Sequence, residues 1–385
     1  MQTMQPSVTI GSYSWAQDRL PYDEFALRHD ALRAAMERNG WAAVLAFGDV
    51  REHAALAYLS NFIPRVRWAM ALLPRTGDAR LLCAMSTRDL PAMRTLTWIA
   101  DVRSGMGPEW EKSFGPWFER FDGAGPLRVG TLGFEQMAPV LYQAVCRSLG
   151  ERFSLHRAEA ILAIPPPRKR PRELTMMRAS CKLLQQATNI FVERWRLSGE
   201  PETAALEAER AARSLAAQDV RSLISLDGGR TLVPYLGRFE KRAGPLLGYL
   251  AVKVMGYWAD SFITVDDRRT TASHRTAAAL DALIANVRPG LRAGELYGKA
   301  TDALAPFPLH PVLGASVGHG IGLSLNEQPE LCAAADSALV EDGVYTLQVG
   351  AAGADAAAGN ALMSAIVRNR ATGAEVLLRS PQLPS

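Results

Sequence analysis

The chain has 385 residues, of which 48% are hydrophobic and 21% are charged, so it is long enough and apolar enough to form two globular domains. This composition excludes disordered and fibrous proteins. The 43 Lys and Arg residues against 39 Asp and Glu residues leave a formal net charge of +4, too small for the concentrated basic surface of a typical nucleic-acid-binding protein. We therefore predict no nucleic-acid partner.

The four cysteines lie far apart and form no Cys-x-x-Cys pair, which argues against a thiolate zinc site and against a dense disulfide framework. Residues Met1 to Trp15 lack the basic start and apolar run of a signal peptide. No apolar stretch approaches the roughly 18 to 20 residues that cross a bilayer. We expect a soluble, cytoplasmic protein without a membrane partner.

Helical and strand patterns alternate in the first part of the chain. Apolar residues at helical spacing from Tyr22 to Arg38, followed by the pair Asn39-Gly40, predict a helix that ends at that pair. The short apolar runs that follow predict strands, the last two joined in a hairpin: Ala42–Phe47, Trp68–Leu73 and Ala79–Cys83. The alternation predicts an α/β N-terminal domain over residues 1–164.

The segment Pro165 to Pro171 contains four prolines and predicts a non-helical linker. Beyond it, Glu173 to Arg196 is amphipathic and free of Gly and Pro, which predicts a helix at the start of a second domain, residues 172–385. This domain contains a weak internal echo, because Leu197–Glu202 and Val287–Arg292 each precede an Ala-rich helix, the second over Gly294–Leu304. We predict a duplicated α+β unit.

The most informative stretch is Val317–Pro329, which reads VGHGIGLSLNEQP. Glycines on both sides of His319 allow close backbone packing while the imidazole points into a cleft. The string resembles the Gly-His-Gly-Ile-Gly-Leu and His-Glu-x-Pro motifs of the family that contains methionine aminopeptidase, aminopeptidase P, prolidase and creatinase. Three further segments resemble that family's helix start, its Gly-Tyr-x-x-Asp turn and its closing hairpin: Arg170–Ala179, Gly256–Asp260 and Gly373–Leu377.

The resemblance covers about residues 20 to 385. It implies a creatinase-like α/β N-terminal domain followed by a pita-bread α+β C-terminal domain with an internal pseudo-twofold repeat. It also implies a homodimer, because in creatinase-like dimers the region corresponding to Asn61–Trp68 reaches the partner's active site and presents an arginine to a substrate carboxylate. A planar guanidinium binds a carboxylate through two hydrogen bonds, so Arg65 and Arg67 are candidates for that contact.

Peptidases of the family hold two divalent ions with two aspartates, one histidine and two glutamates, because hard cations need several oxygen ligands. The resemblance assigns these five positions to Tyr249, Asp260, His319, Gln348 and Ser364. Only one carboxylate and one imidazole remain. We therefore predict that the chain binds no metal and uses no cofactor.

Two further family histidines correspond to Tyr235 and Asn326. We predict His319 as the catalytic acid/base, Asp260 as the group that orients it or binds a cation, and Glu327 as a second acid/base. Tyr249 and Tyr235 can donate hydrogen bonds to a carbonyl or an oxyanion. The remaining predicted substrate-binding residues are His310, Asn326, Gln348 and Ser364. Packing, a loop end or a turn cap are the alternative roles for Tyr249, Tyr235 and Asp260.

Creatinase shows that this family includes enzymes that work without metals. The leading hypothesis is a metal-independent enzyme that cleaves a C–N bond, by hydrolysis or elimination, in a small carboxylate-bearing substrate. Three alternatives stay open: an Xaa-Pro-type metallopeptidase, a catalytically inactive pita-bread binding module, and a lyase or isomerase of a specialised pathway.

Overall fold

The structure is a computed structural model that describes residues 15–122, 126–159, 161–242, 245–266, 270–355 and 358–381. The segment Met1 to Trp15, in which we expect no signal peptide, lies outside the described residues except for Trp15. The chain forms two compact units, residues 1–166 and 167–385. Within the described ranges, no helix is both long enough and apolar enough to span a membrane.

The N-terminal unit is built around a mixed sheet of six strands in the order β4-β3-β2-β1-β5-β6. Its strands are β1 (Trp41–Asp49), β2 (Trp68–Pro74), β3 (Arg80–Cys83), β4 (Asp101–Ser104), β5 (Leu127–Leu132) and β6 (Phe153–Arg157). Its α-helices are α1 (Tyr22–Asn39), α2 (Ala54–Ser60), α3 (Leu90–Met93), α4 (Pro108–Ser113), α5 (Gly115–Phe118) and α6 (Pro139–Leu149). The predicted first helix, strands and β2–β3 hairpin are confirmed.

The C-terminal unit contains two pairs of helices, each followed by strands. Its helices are α7 (Pro171–Ser198), α8 (Pro201–Ser214), α9 (Thr271–Asn286) and α10 (Ala293–Leu304). Its strands are β7 (Asp219–Ile224), β8 (Leu246–Val254), β9 (Tyr257–Val265), β10 (Ser316–Gly320), β11 (Glu327–Cys332), β12 (Val344–Ala352), β13 (Asn360–Arg370) and β14 (Gly373–Arg379). The repeated order of two helices and then strands confirms the predicted duplication.

The start of α7 corrects the predicted linker. Pro171 is the first residue of the helix rather than the last residue of the linker, because a proline at the first helical position loses no intrahelical hydrogen bond. Arg168 forms a β-bridge with Gly343, and Lys169 is only 3% exposed. The end of the proline-rich segment is therefore part of the C-terminal unit and not a free connection.

The two halves of this unit contribute separate sheets. The first half forms the sheet β7-β8-β9, and the second forms β11-β10-β12-β13-β14. Thr264 on β9 and Leu362 on β13 exchange two hydrogen bonds, since the Thr264 hydroxyl donates to the Leu362 carbonyl at 2.8 Å and accepts from its N–H at 2.9 Å. This reciprocal contact joins the two sheets.

Candidate active site

A cavity of about 450 Å³ opens in the C-terminal unit between the two halves. The residues that line it come from both sheets and from the loops beside β10 and β11: Leu223, Leu232, Tyr249, Phe262, Val312, Leu313, Ser316, His319, Leu325, Asn326, Glu327, Gln328, Glu330 and Gln348. Its volume is within the range of small-molecule sites. Five of the sequence-predicted site residues therefore meet at one cavity.

Asp260 lies beneath this cavity and is 1% exposed. Its Oδ1 accepts a hydrogen bond from the Thr346 hydroxyl at 2.8 Å, and its Oδ2 accepts from the Gln348 Nε2 at 3.0 Å and from the Tyr249 hydroxyl at 3.4 Å. Burial raises the pKa of Asp260, while the charge of His319 and these donors oppose the increase. Asp260 belongs to strand β9, so the turn-cap alternative is wrong.

The loop of His319 fixes which ring nitrogen carries the proton in the neutral imidazole. Its Nδ1 lies 2.9 Å from the Gly320 carbonyl oxygen, which can only accept, so Nδ1 carries the proton. The Nε2 then has a lone pair, and it lies 3.4 Å from the Gln348 Nε2. The long distance leaves this lone pair weakly engaged. Such a nitrogen can accept a proton from a molecule in the cavity.

The glycines beside His319 are required by close backbone contacts. A Cβ on Gly318 would lie 1.9 Å from the Thr346 carbonyl oxygen, and a Cβ on Gly320 would lie 2.5 Å from the Gln328 carbonyl oxygen on β11. Gly318 also has a φ of 137°, which disfavours other residues. The close packing that the sequence predicts around this histidine is confirmed.

Tyr249 lies beside Asp260 and opposite Phe262 on the neighbouring strand, with ring centroids 5.1 Å apart. Burial, followed by the Asp260 carboxylate, raises the pKa of Tyr249 well above its ordinary value. Its hydroxyl therefore stays protonated and can only act as a hydrogen-bond donor or acceptor near neutral pH. This is consistent with the predicted donor role and excludes a role as base.

Glu327 lines the cavity and forms an ion pair with Lys169. The Glu327 side chain is 9% exposed and that of Lys169 is 1% exposed, and the Glu327 Oε1 also accepts from the Ser324 N–H at 3.3 Å. The carboxylate thus braces the loop after His319. Its use as a second acid/base stays a prediction, and it would require proton exchange beside an ammonium group.

Two predicted substrate-binding residues lie outside the cavity lining, in hydrogen-bonded interiors. Ser364 is 1% exposed, and its hydroxyl accepts from the Phe262 N–H at 2.9 Å. His310 is also 1% exposed, with its Nε2 donating to the Gly229 carbonyl at 2.7 Å and its Nδ1 accepting from the Val312 N–H at 3.2 Å. Both ring nitrogens of His310 are occupied, and burial lowers its pKa.

For the three remaining candidates, the described contacts give no position at the cavity. Tyr235 lies in the irregular segment after β7. In the same segment, the backbone N–H groups of Leu236 and Phe239 donate to the buried Glu202 carboxylate. In the N-terminal unit, Arg67 has a φ of 55° and donates to the Ala84 carbonyl at 3.4 Å, while Arg65 borders a small apolar cavity. Their roles stay predictions.

The sequence did not reveal three residues of this site: Lys169, Thr346 and Glu330. Lys169 is 158 residues from Glu327 in the chain, and Thr346 is 86 residues from Asp260, so no local pattern connects either pair. Glu330 directly follows the Val317–Pro329 motif, and alternation along β11 could have placed it on the face of His319.

Comparisons with known proteins agree with this architecture. Residues 176–366 match the model of metallopeptidase family M24. The chain belongs to metallopeptidase family M24 through its C-terminal unit. No curated protein matches the sequence.

Solved structures similar to this chain include three peptidases, each below 20% identity. A prolidase from Thermococcus sibiricus has 16% identity and a TM-score of 0.76, covering 93% of this chain and 98% of its own. An X-Pro aminopeptidase from Thermotoga maritima has 17% identity and a TM-score of 0.76, with coverages of 92% and 98%. The dipeptidase PepE from Mycobacterium ulcerans has 19% identity and a TM-score of 0.72, with coverages of 94% and 97%. These similarities confirm the predicted α/β and pita-bread fold.

Peptidases of this family hold a pair of divalent ions, and the residues of this chain do not fit such a pair. The Gln348 amide directs its NH₂ group, which cannot ligate a cation, at both the Asp260 carboxylate and the His319 Nε2. The Ser364 hydroxyl is buried and engaged. Among the residues that the structure describes, no group of three or more His, Cys, Asp and Glu side chains is arranged to hold a metal.

Proposed function

We propose that this chain hydrolyses an amide C–N bond in a small peptide-like substrate that binds in the cavity of the C-terminal unit. The observation that carries the proposal is that the Gln348 amide connects the buried Asp260 carboxylate to His319, whose side chain lines the cavity. The family match and the peptidase neighbours support a peptide-type substrate more than the guanidino acid of creatinase. In this respect they favour a peptidase over the creatinase-like enzyme of the leading sequence hypothesis.

In the proposed reaction, His319 Nε2 accepts a proton from a water molecule, and the hydroxide equivalent attacks the amide carbon. The Tyr249 hydroxyl lines the cavity and can turn from Asp260 toward the developing oxyanion, since its present contact is 3.4 Å long. Collapse of the tetrahedral intermediate breaks the C–N bond, and the His319 proton moves to the leaving nitrogen. The products are a carboxylate and an amine.

Asp260 is a positioning residue in this scheme. Its carboxylate holds the Gln348 NH₂ group, which in turn contacts His319 Nε2. A buried anion also stabilises the imidazolium that forms when His319 takes the proton. We propose that the reaction proceeds without a metal. The position between the Asp260 carboxylate and the His319 Nε2 is filled by the Gln348 NH₂ group, which donates hydrogen bonds to both.

We propose a homodimer in which Arg65 or Arg67 binds the substrate's carboxylate from a neighbouring chain. The four free cysteines support the predicted cytoplasmic location.

Hydrolysis of a panel of dipeptides and amino-acid amides in H₂¹⁸O, followed by mass spectrometry, tests the function. Hydrolysis places one ¹⁸O atom in the carboxylate product, whereas elimination by a lyase places none. His319→Asn should lower turnover by about 10² to 10⁴. His274→Asn, at an exposed position on α9, is the matched control and should retain full activity.

The same panel distinguishes this metal-independent hydrolase from a metallopeptidase and from a binding module. Activity that appears only with added Mn²⁺ or Co²⁺ and disappears with EDTA would favour an Xaa-Pro metallopeptidase. Binding of panel members without turnover of any of them would favour a binding module.

A further inference from the structure

The charged side chains that line the cavity are all acidic. They are Glu327 and Glu330, and no Lys or Arg is among the described lining residues. The carboxylate of Glu327 is compensated by the buried Lys169 ammonium. Glu330 is exposed and has no ion pair among the described residues. The cavity wall therefore carries one uncompensated negative charge, and this charge attracts cations.

The strand register places Glu330 beside His319. The two residues are direct partners in the antiparallel β10–β11 pair, with register shifts on both sides of His319. Directly opposed residues extend their side chains on the same face, with Cβ atoms about 5 Å apart. Both side chains line the same cavity, as this geometry requires. A group bound to Glu330 thus lies within reach of the His319 Nε2.

Much of the cavity lining is apolar. It is formed by Leu223, Leu232, Phe262, Val312, Leu313 and Leu325. A leucine-sized side chain buried there would lose most of its contact with water, which favours binding. The cavity therefore combines one site for a positive charge with one surface for a branched aliphatic or aromatic group.

We propose that Glu330 binds the ammonium group of a ligand whose apolar side chain occupies the rest of the cavity. This inference rests on the proposed function and adds to it a residue that selects ligands with a free ammonium group. Glu330 is the specificity-determining residue for the positive charge. Fixing the ammonium at Glu330 holds the adjacent carbonyl carbon close to His319.

Isothermal titration calorimetry with three related probes tests this proposal on the full-length chain. The probes are L-leucinamide, which carries an ammonium, N-acetyl-L-leucinamide, which is neutral, and N-acetyl-L-leucine, which carries a carboxylate. Wild-type protein should bind L-leucinamide about tenfold more tightly than the neutral probe, the usual effect of one charged hydrogen bond. Added salt should reduce this preference.

Glu330→Gln should bring the affinities for the cationic and neutral probes together. Glu207→Gln removes an equal charge from α8, outside the cavity lining, and should keep the preference. Equal or tighter wild-type binding of the neutral probe, no measurable binding of L-leucinamide, or a preference over the neutral probe that persists in Glu330→Gln would each overturn the proposal. The wild-type comparison needs no variant, so it decides the matter even if a substitution impairs folding.

Binding and turnover give separate answers. Charge-selective binding with no ¹⁸O incorporation from any substrate would reject the proposed hydrolysis and retain the role of Glu330. Hydrolysis without charge-selective binding would retain the proposed hydrolysis and reject the role of Glu330.

Discussion

The Gln348 side-chain nitrogen donates a 3.0 Å hydrogen bond to the Asp260 Oδ2. A glutamate at this position would place a second carboxylate beside a buried one, and two such groups repel each other unless a proton or a cation lies between them. The amide removes the repulsion by contributing a donor in place of a charge.

Gln348→Glu should therefore create a cation-dependent protein. In EDTA its thermal midpoint should fall below that of wild type, because two carboxylates then share a buried space. Added Mn²⁺ should raise the midpoint of this variant and leave wild type unchanged, since binding to the folded state alone is stabilising. Gln348→Leu, which has no charge, is the control. Stoichiometric Mn²⁺ on purified wild-type protein would contradict the prediction.

Asp260→Asn should abolish activity and stabilise the fold at neutral pH. Burial raises the pKa of Asp260, so its ionised form opposes folding increasingly as the pH rises through that pKa. The stability gain of the variant should be largest at neutral pH and should shrink toward acidic pH, where the wild-type carboxyl is protonated. Thermal unfolding of both proteins across this range measures the gain. A variant less stable than wild type at pH 7 would show that the lost acceptor contacts outweigh the charge.

Lys169→Met should destabilise the C-terminal unit by about 3 to 5 kcal/mol, because it leaves the Glu327 carboxylate buried without its partner. The neighbouring substitution Arg168→Ala removes a 65% exposed side chain that pairs with Asp342 at 3.2 Å, and should cost less than about 1 kcal/mol. Urea unfolding of the two variants gives the comparison. If Glu327→Gln in the Lys169→Met background restores no stability, the ion pair is not the cause.

His29 should make the N-terminal unit sensitive to mild acid. Burial and the charge of Arg33 lower its pKa to about 4 from 6.5, and its ring packs edge-on against Trp98 with centroids 4.6 Å apart. Between these two pH values the unfolded chain binds a proton that the folded chain does not. Stability should therefore fall as the pH is lowered through this range, by up to about 3 kcal/mol.

Substituting His29→Phe should remove most of the decline in stability and keep the contact with Trp98. The control substitution His274→Asn should leave the decline unchanged. Thermal midpoints measured in steps from pH 7 to pH 4 provide the test. An equally steep decline in the His29→Phe protein would assign the acid sensitivity to other groups.

Local patterns predicted the elements of the fold well because periodicity and turn residues act over short distances. The helix from Tyr22, the β2–β3 hairpin and the repeated helix pairs all follow from such signals. The start of α7 at Pro171 was missed, since a proline reads equally as a linker residue and as a first helical residue.

The site was predictable only where a motif carried it. The motif around His319 and the resemblance to the family located Asp260 and Gln348 as site residues. They did not predict the direction of the Gln348 amide or the ion pair between Lys169 and Glu327. These contacts depend on how distant strands meet, which no sequence spacing encodes. The same reason explains why His310 and Ser364, plausible as polar residues, lie outside the cavity lining in hydrogen-bonded interiors.

The reciprocal bonds between Thr264 and Leu362 have a consequence for how ligands enter. Tyr249 and Asp260 belong to one sheet and His319 and Gln348 to the other, so any hinge motion between the sheets would break those bonds and separate these two pairs of residues. The side chains at the floor of the cavity are thus already ordered in the folded protein, and a ligand does not have to order them when it binds. Association should then be a single fast step, with selectivity expressed in how long each ligand stays.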